Sequence, residues 1–486
     1  MPNVKVLAAG VVAASSVAAV VTAVRGYRPL DELGTPATRP PDFDDLRDRA
    51  ARTLQRVVRI PTVSYVDEGV ADGAAFDALH DALREEFPLL HERLTLTRIG
   101  DHGLLFHWAG ASAAQPLVLM AHQDVVPIDD ETPWQQPAFD GAVDGDVIWG
   151  RGTLDDKGAL IAICEAAELL LAQDFTPAQD VYLSFGANEE VSGDCAAQAV
   201  AELSRRGVTP WLVLDEGGAV AGEAFPGVDG PVAVVGVSEK GVTDVELRVT
   251  GAGGHASMPP RMGTTARLAR AISRLENHPF TRAMPEPTVQ MIDRVGRHSS
   301  GAVRLALALT HGRRRLLAAA FDRLGPETSA MTRTTMAVTR LRGAPGHNVL
   351  ASTATAGVNV RVMLGESVAD AVAHITKVVD DDQVEVVLLS GSEPSPLSPT
   401  SGPAWEHVTG AIQTVFPEAV ATPYVMMAAT DSRFFTEICS NVYRFAPFRM
   451  SRVQRESIHS VDEHLHLDAL AEGVWWFREL IERLPA

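Results

Sequence analysis

The sequence predicts an α/β fold in which a mixed, mostly parallel sheet is flanked by helices and carries an inserted, smaller α+β domain. The chain has 486 residues, 46% hydrophobic and 21% charged, which favours two or three folded domains with a large core. Short apolar runs alternate with helical stretches between about residues 116 and 218, the rhythm of β-α-β units. From about Gly241 the strands become two-sided, which is typical of a separate, smaller sheet.

The chain begins with an uncharged apolar run, VLAAGVVAASSVAAVVTAV at residues 6–24, which follows Lys5. This run is about as long as a marginal membrane-spanning helix, so we expect a cleaved signal peptide or a retained membrane anchor. A helix buried in the fold is the third interpretation, disfavoured by the polar, proline-bearing segment that follows. We therefore assign residues 1–27 to the signal or anchor and 28–44 to a linker, and expect an exported protein, secreted or membrane-anchored.

The first part of the main domain is assigned to residues 45–239 and the second part to 393–486. Apolar periodicity predicts its helices and strands. The helices are expected at about 43–60, 74–87, 158–173 and 194–206, and the strands at 116–122, 180–190 and 211–218. A short strand at 441–447 is expected to rejoin the same sheet.

The inserted domain is assigned to residues 240–392. Its predicted elements are two-sided strands in 241–257 and 353–367, helices at about 263–276 and 367–380, and a strand near 384–390. It also contains residues 277–345, in which VRLALALTHGRRRLLAAAFDRL is predicted as one arginine-rich helix. Core packing or a subunit contact is the interpretation that we give this stretch.

The charge of the chain excludes one class of partner. The sequence holds 62 acidic and 42 basic residues, a formal net charge of -20, so nucleic acid is a poor partner because its phosphates would be repelled. The three cysteines, Cys164, Cys195 and Cys439, are too widely spaced for a metal knuckle or a disulfide framework, and we expect buried thiols.

Two motifs in the first half place histidine and acidic residues beside predicted strands and helices. In HQDVVP, His122 and Asp124 point to the same side of a strand end, as a metal-bound imidazole and its supporting carboxylate would, although this motif taken alone favours a purely structural pair. In GRGTLDDKG, Asp155 and Asp156 directly precede a helix, where they could cap the helix or bind metal.

Two further acidic pairs follow apolar strands. Glu189 and Glu190 lie in GANEEVSGD, and Asp215 and Glu216 lie in LVLDEGG. Each pair alone could be surface acids. Together the four motifs follow apolar segments of an α/β sheet, whose ligand sites lie beyond the carboxyl ends of its strands. Carboxylates and imidazoles without thiols suit a divalent ion, zinc first, with cobalt or manganese as alternatives.

Taken in order, HQDVVP, GRGTLDDKG, GANEEVSG, LDEGG and GAGGHASMPP resemble the M20 family of di-zinc metallopeptidases and aminoacylases, over about residues 45–486. WQQPAF at 134–139 and the LDEGG form are most similar to its Gly-X carboxypeptidase and PM20D1-like N-acyl-amino-acid hydrolase branch. The resemblance implies a zinc-peptidase-type fold whose inserted domain is a lid that can also form a homodimer contact.

The resemblance also implies roles for individual residues. Asp155 would bridge two metals, Asp124 would support the first histidine, and Glu189 would be the general base. Asp156 would follow Asp155 through an unusual peptide bond. The implied metal ligands are His122, Asp155, Glu190, Asp215 and His459, the last with His464 and His466 as less favoured neighbours.

The implied substrate contacts come from other parts of the chain. His255 would reach the oxyanion from the smaller domain, whether from its own chain or from a partner's lid. Arg361 and Asn348 match positions that bind the substrate carboxylate and the oxyanion region, and arginine suits a planar carboxylate. Thr430, Asp431 and Ser432 are candidate pocket residues.

The predicted function is a di-metal hydrolase that cleaves an amide bond and releases a free amino acid from N-acyl amino acids or short peptides. Its substrate would be a small molecule, and the N-terminal segment would be its only membrane contact. Two alternatives stay open: a deacetylase or desuccinylase-type M20 amidohydrolase, and a non-catalytic surface protein that captures acylated ligands.

Overall fold

The computed structural model describes residues 26–29, 33–65, 72–129, 132–224, 228 and 230–486. The apolar run at 6–24 therefore lies outside the described residues, so the signal or anchor assignment stays a prediction. Within the described ranges, no helix has both the length and the apolar character needed to cross a membrane.

The helices fall close to the predicted periodic segments. In chain order they are α1 Phe43–Val58, α2 Gly73–Glu86, α3 Pro88–Arg93, α4 Lys157–Ala172, α5 Cys195–Arg205, α6 Thr264–Asn277, α7 Glu286–His298, α8 Gly301–Thr310, α9 Arg314–Leu324, α10 Pro326–Ala330, α11 Val368–Val379, α12 Pro403–Val415, α13 Ser432–Phe435, α14 Arg452–Ser457 and α15 Leu467–Glu482.

The strands include each one predicted from the sequence. In chain order they are β1 Thr95–Ile99, β2 Gly103–Trp108, β3 Ser112–His122, β4 Ala142–Asp144, β5 Val147–Trp149, β6 Gln179–Gly186, β7 Leu212–Asp215, β8 Ala219–Ala221, β9 Val232–Glu239, β10 Gly241–Thr250, β11 Gly254–His255, β12 Thr335–Arg342, β13 Val349–Leu350, β14 Thr353–Val362, β15 Glu385–Ser392, β16 Val420–Met426, β17 Val442–Arg444, β18 Arg449–Met450 and β19 His464–His466.

The large sheet has ten strands in the order β1-β2-β6-β3-β7-β17-β9-β8-β18, with β16 beside β9. Its centre is parallel, because β3 pairs in parallel with both β6 and β7, and β7 pairs in parallel with β17. The predicted return of the late strand to the first sheet is therefore confirmed. β6 and β7 are buried along their whole length, and helices α1, α4 and α15 pack together over one core.

The second sheet has four strands in the order β12-β14-β10-β15, all from the predicted inserted segment. Along β10 and β14 buried and half-buried residues alternate, as the sequence predicts, and α6 and α11 cover the buried side. The first connection into this sheet, after β9, and the last connection out of it, after β15, are joined by hydrogen bonds. The Glu239 amide donates to Ser395 Oγ over 2.8 Å, the Ser238 hydroxyl donates to the Ser395 carbonyl over 2.7 Å, and the Ser395 amide donates to the Glu239 carbonyl over 3.1 Å.

Residues 277–345, within the inserted segment, differ from the prediction in two ways. The arginine-rich segment is two helices, α8 and α9, because the chain turns at Gly312, whose φ of 73° is favourable only for glycine. Helices α7 and α9 also pack beside the large sheet rather than in the core of the second sheet, since Met291, Ile292 and Phe321 share a buried cluster with Val232 of β9.

Candidate active site

The candidate site lies at the carboxyl ends of β3, β6 and β7, the central parallel strands. These strands end at His122, Gly186 and Asp215, and the loops that follow carry the predicted acidic residues. The buried apolar strands fix where the polar side chains emerge, as expected for an α/β sheet.

His122 is held by the residue two positions beyond it. Its ring is 2% exposed, and its Nδ1 lies 2.9 Å from the backbone carbonyl oxygen of Asp124 and 3.4 Å from the Asp124 carboxylate. A neutral His122 with hydrogen on Nδ1 donates to that carbonyl, so Nε2 is left to face the site. The backbone carbonyl is therefore the nearer of the two Asp124 groups, and the role of Asp124 as the support of a metal-bound His122 stays a prediction.

Asp155 lies between two histidines. Its Oδ1 is 2.9 Å from His122 Nε2 and its Oδ2 is 3.0 Å from His459 Nε2. Glu190 Oε2 is also 3.0 Å from His459 Nε2. A carboxylate with one oxygen toward each imidazole is the arrangement expected of a group that bridges two cations. His464, in contrast, stacks on Trp149 with ring centroids 4.4 Å apart, and its Nδ1 donates to the Asp462 carbonyl oxygen over 2.7 Å.

The side chains of the Asp215–Glu216 pair have different partners. The Asp215 carboxylate accepts a hydrogen bond from the Ser432 amide over 2.8 Å, whereas Glu216 Oε1 lies 3.6 Å from His122 Nε2. Neighbouring side chains at a strand end point in opposite directions, so only one of the two acids can face the histidine. In the structure Glu216 is the acid of this pair that faces His122, and the metal-ligand role of Asp215 stays a prediction.

Asp156 is fully buried behind His122. It follows Asp155 through a cis peptide bond, as the family resemblance implies, and its Oδ2 accepts a hydrogen bond from the His122 amide over 3.2 Å. One ligand atom each of His122, Asp156 and Glu216 lie within 4.8 Å of one another, as do those of His122, Asp155 and Glu190.

Glu189 is held at the edge of this cluster by its backbone. The Asp124 carboxylate accepts the amide hydrogens of Glu189 and Glu190, each over 3.2 Å. Asp124 therefore fixes both the first histidine and the loop that carries the second acidic pair. Burial, together with the charges of Asp431 and Asp155, raises the pKa of Glu189 well above its usual value.

The buried carboxylates and imidazoles of the cluster suit bound cations. Burial and the neighbouring Asp155 raise the pKa of Glu216, and the hydrogen bonds that His459 donates to Asp155 and Glu190 raise the pKa of His459 to about 10. Glu190 Oε1 and Asp156 Oδ1 are buried without a hydrogen-bond partner. Unpaired buried carboxylate oxygens next to imidazoles, without thiols, fit divalent metal ions.

The loop that follows β16 closes one side of the site. Thr430, Asp431 and Ser432 are all buried, and Thr430 donates its hydroxyl and amide hydrogens to Glu239 Oε1 over 2.6 and 3.0 Å. The same oxygen accepts from Arg444 Nε over 2.9 Å, an ion pair that is out of reach of solvent. Burial raises the pKa of Asp431 to about 7, with Asp215 adding to the effect.

Glu463 supports the site and was not singled out in the sequence. This fully buried carboxylate accepts the amide hydrogens of Gly152, Leu154 and Asp155 over 3.1, 2.8 and 3.2 Å. Its other oxygen accepts from Arg151 Nη1 over 2.6 Å. Glu463 therefore ties the loop that presents Asp155 to the segment that follows His459.

The sequence of the chain matches a known protein family. The family model of peptidase family M20/M25/M40 matches residues 118–483. The chain belongs to the M20 family. It is 33% identical to the probable carboxypeptidase S-like 2 of Dictyostelium discoideum, over 90% of this chain and 86% of that protein.

Two further M20 comparisons support the assignment. The chain is 32% identical to the human N-fatty-acyl-amino acid synthase/hydrolase PM20D1, over 92% of this chain and 90% of that protein. Among solved structures, the M20 family metallo-carboxypeptidase Sso-CP2 from Sulfolobus solfataricus has a TM-score of 0.68 at 16% identity, covering 89% of this chain and 98% of that chain. The protein is therefore an M20-type hydrolase with the predicted M20 fold, and its clustered acids and histidines are its candidate metal-binding residues.

Three predicted substrate residues of this M20 chain lie away from the acid and histidine cluster. His255 is exposed in β11, where its Nδ1 lies 2.7 Å from Ser257 Oγ, and the Asn348 carbonyl accepts the Ala256 amide hydrogen over 3.0 Å. Arg361 lies on β14, and its Nε donates to Asn359 over 3.2 Å. The fold brings His255 and Asn348 together, while Arg361 belongs to the four-stranded sheet.

Proposed function

We propose that this M20 hydrolase uses two divalent metal ions, zinc in the first place and cobalt or manganese as substitutes, to release a free amino acid from N-acyl amino acids or short peptides. The observation that carries the proposal is the position of Asp155, with one carboxylate oxygen toward His122 and the other toward His459.

Two sets of residues would hold the metals. His122, Asp155 and Glu216 would form one set, with Glu216 in the role first assigned to Asp215, and His459, Asp155 and Glu190 would form the other. When bound, the ions supply Lewis acidity, which polarises an amide carbonyl and makes water easier to deprotonate.

Glu189 is the proposed general base. It would take a proton from the water that attacks the amide carbonyl carbon, so that a C–O bond forms. It would then donate that proton to the amine nitrogen as the C–N bond breaks. The position of Glu189 next to Glu190, on the loop that the Asp124 carboxylate holds, supports this role.

Substrate binding would require the second sheet to close over the metals. Arg361 would bind the free carboxylate of the substrate, and His255 and Asn348 would donate hydrogen bonds to the oxyanion, from the same chain or from a partner in a homodimer. Thr430, Asp431 and Ser432 would line the pocket. The proposed division into a catalytic domain, residues 45–239 and 393–486, and a lid segment, residues 240–392, is kept, with the four-stranded sheet, α6 and α11 as the part that would move while α7 and α9 stay beside the large sheet.

The substrate class is argued from the two relatives and the N-terminal sequence. One relative is named a probable carboxypeptidase and the other an N-fatty-acyl-amino acid synthase/hydrolase. Both names fit substrates in which the amide nitrogen belongs to an amino-acid residue with a free carboxylate. The apolar run at residues 6–24 supports export or membrane anchoring, which favours these substrates over those of intracellular deacetylases or desuccinylases.

A substrate panel tests the proposal. The full chain is incubated with N-acetyl and N-fatty-acyl amino acids and with dipeptides, with zinc or with chelator, and released amino acids are measured by mass spectrometry. We expect zinc-dependent release. Release that persists after the metals have been removed, or none from any substrate while two metals are bound, contradicts the proposed hydrolase, and the second result favours the non-catalytic ligand-binding alternative.

A matched pair of variants tests the base. Glu189→Gln should keep two metals per chain and lose nearly all turnover, because the amide cannot accept the proton from water. Glu437→Gln, which changes an exposed glutamate outside the cluster, is the control and should behave as the unchanged protein. Near-normal turnover by Glu189→Gln would refute the assignment.

A further inference from the structure

Helices α8 and α9 expose leucines to solvent. Leu305 and Leu309 are one helical turn apart on α8 and are each 38% exposed, while Leu316 and Leu324 of α9 are 56% and 72% exposed. Other residues of α9 are buried, since Leu317, Ala318 and Phe321 pack beside the large sheet. These four leucines, here named the leucine face, keep more than a third of their surface exposed, and exposed apolar surface of this kind can mark a contact surface.

The start of the described chain is fixed against the same helices. Tyr27 is 4% exposed, its carbonyl accepts from Arg304 Nε and Nη2 of α8 over 3.0 and 2.6 Å, and its hydroxyl donates to the Asp293 carbonyl of α7 over 3.2 Å. Arg297 lies over the Tyr27 ring at 4.8 Å. The described chain, which follows the apolar run of residues 6–24 in the sequence, therefore begins next to α8.

The turn between the two helices is basic. Arg313, Arg314 and Arg315 are all exposed, and Arg314 forms an ion pair with Glu286. Within the described chain neither Arg313 nor Arg315 forms an ion pair. These guanidinium groups, next to exposed leucines, match a surface in which an apolar layer is covered by negatively charged groups.

We propose that the leucine face docks α8 and α9 onto a lipid bilayer that contains anionic headgroups. The leucines enter the acyl boundary, and Arg313 and Arg315 contact lipid phosphates. The total charge of -20 would oppose approach to such a surface, but charges beyond roughly 10 Å are screened at physiological salt, so the local arginines decide the contact. The start of the described chain next to α8, after residues 6–24 in the sequence, favours lipid over a second copy of the chain, because an apolar segment inserted in a bilayer would hold this face against it.

A fluorescent probe on the leucine face tests the proposal. The three cysteines of the chain are buried, so a cysteine introduced by Leu309→Cys or, separately, by Leu316→Cys can be labelled selectively with the environment-sensitive dye NBD. The control label is placed by Leu397→Cys, at an exposed leucine outside these helices. The full-length labelled proteins are reconstituted with phosphatidylcholine vesicles that contain or lack phosphatidylglycerol.

We expect NBD emission at 309 and 316 to increase, shift to shorter wavelength and be quenched by spin-labelled lipids, most strongly with phosphatidylglycerol, while the label at 397 stays aqueous. An aqueous signal at both test positions contradicts the proposal. A blue-shifted signal that spin-labelled lipids do not quench also contradicts it, because the face would then be covered by protein, either a second copy or residues 6–24.

The role of charge is tested by the double variant Arg313→Gln/Arg315→Gln. It should lose the difference between vesicles with and without phosphatidylglycerol, because the phosphate contacts are gone. Arg340→Gln/Arg342→Gln, which removes two exposed arginines from β12, is the matched control and should keep the difference. An unchanged difference in the first variant would show that these arginines do not contact lipid phosphates.

Discussion

Replacing Glu463 by glutamine should destabilise the protein strongly, although the residue binds neither substrate nor metal. The carboxylate accepts three amide hydrogens, from Gly152, Leu154 and Asp155, and is the counter-charge of Arg151, which is 3% exposed. Hydrogen bonds to a charged acceptor contribute roughly 1 kcal/mol more than those to a neutral one, so three weakened bonds cost about 3 kcal/mol. Removing one member of a buried ion pair costs ~3–5 kcal/mol, and since the two effects overlap we expect a total near 3–5 kcal/mol.

The assay is urea unfolding followed by tryptophan fluorescence. Chelator is present throughout, so that metal binding contributes nothing to the measured free energy of unfolding. The control is Glu456→Gln, which breaks the exposed ion pair with Arg452 and should leave the unfolding midpoint unchanged. Adding Arg151→Met to Glu463→Gln should recover part of the loss, because the unpaired charge is removed.

A loss below about 1 kcal/mol for Glu463→Gln, or a double variant less stable than the single one, would refute the reasoning. The first result would mean that the loop before α4 holds its shape without Glu463. The second would mean that Arg151 stabilises the fold through contacts other than this ion pair.

Three other predictions concern the same region. Glu216→Gln should lower the metal content measured by mass spectrometry by about one ion per chain while Asp215→Asn keeps both, and the reverse result would return the ligand role to Asp215. Glu239→Gln should cost ~3–5 kcal/mol in urea unfolding because it leaves Arg444 buried and unpaired, and a change within the error of the measurement would contradict this. Chelation should lower the thermal midpoint, since metal at a hundred times its Kd stabilises the fold by about 2.7 kcal/mol, and an unchanged midpoint after verified metal loss would show that the clustered carboxylates tolerate its absence.

The sequence predicted the large sheet and most of the acids and histidines that the structure brings together, because both depend on local patterns. Buried parallel strands are continuous apolar runs, and the residues that follow them must emerge at one edge of the sheet. His122, Asp155 and Glu190 were identified on this basis together with the family motifs, and His459 on the motifs alone. The structure brings all four together.

What the sequence could not decide depends on direction or on distant contacts. Adjacent acids at the end of β7 must point apart, but alternation alone does not say whether Asp215 or Glu216 faces the histidine. Glu463 acts on residues more than 300 positions away, such as Leu154, so no local pattern marks it. Gly312 splits a periodic segment that otherwise reads as one helix, because only the backbone angle reveals the turn.

The hydrogen bonds among Ser238, Glu239 and Ser395 have a mechanical consequence. The first connection into the four-stranded sheet and the last connection out of it pass through this one point, and the chain also leaves this sheet for α7 and α9, beside the large sheet, and returns at β12. The tie at Ser238, Glu239 and Ser395 is therefore placed as a hinge at one edge of the four-stranded sheet. Motion about the hinge would move β10, β14 and β15 as one body. Glu239 also accepts hydrogen bonds from Thr430 and Arg444, so the fixed side of the hinge is part of the wall of the site. The site can therefore keep its shape while the four-stranded sheet moves.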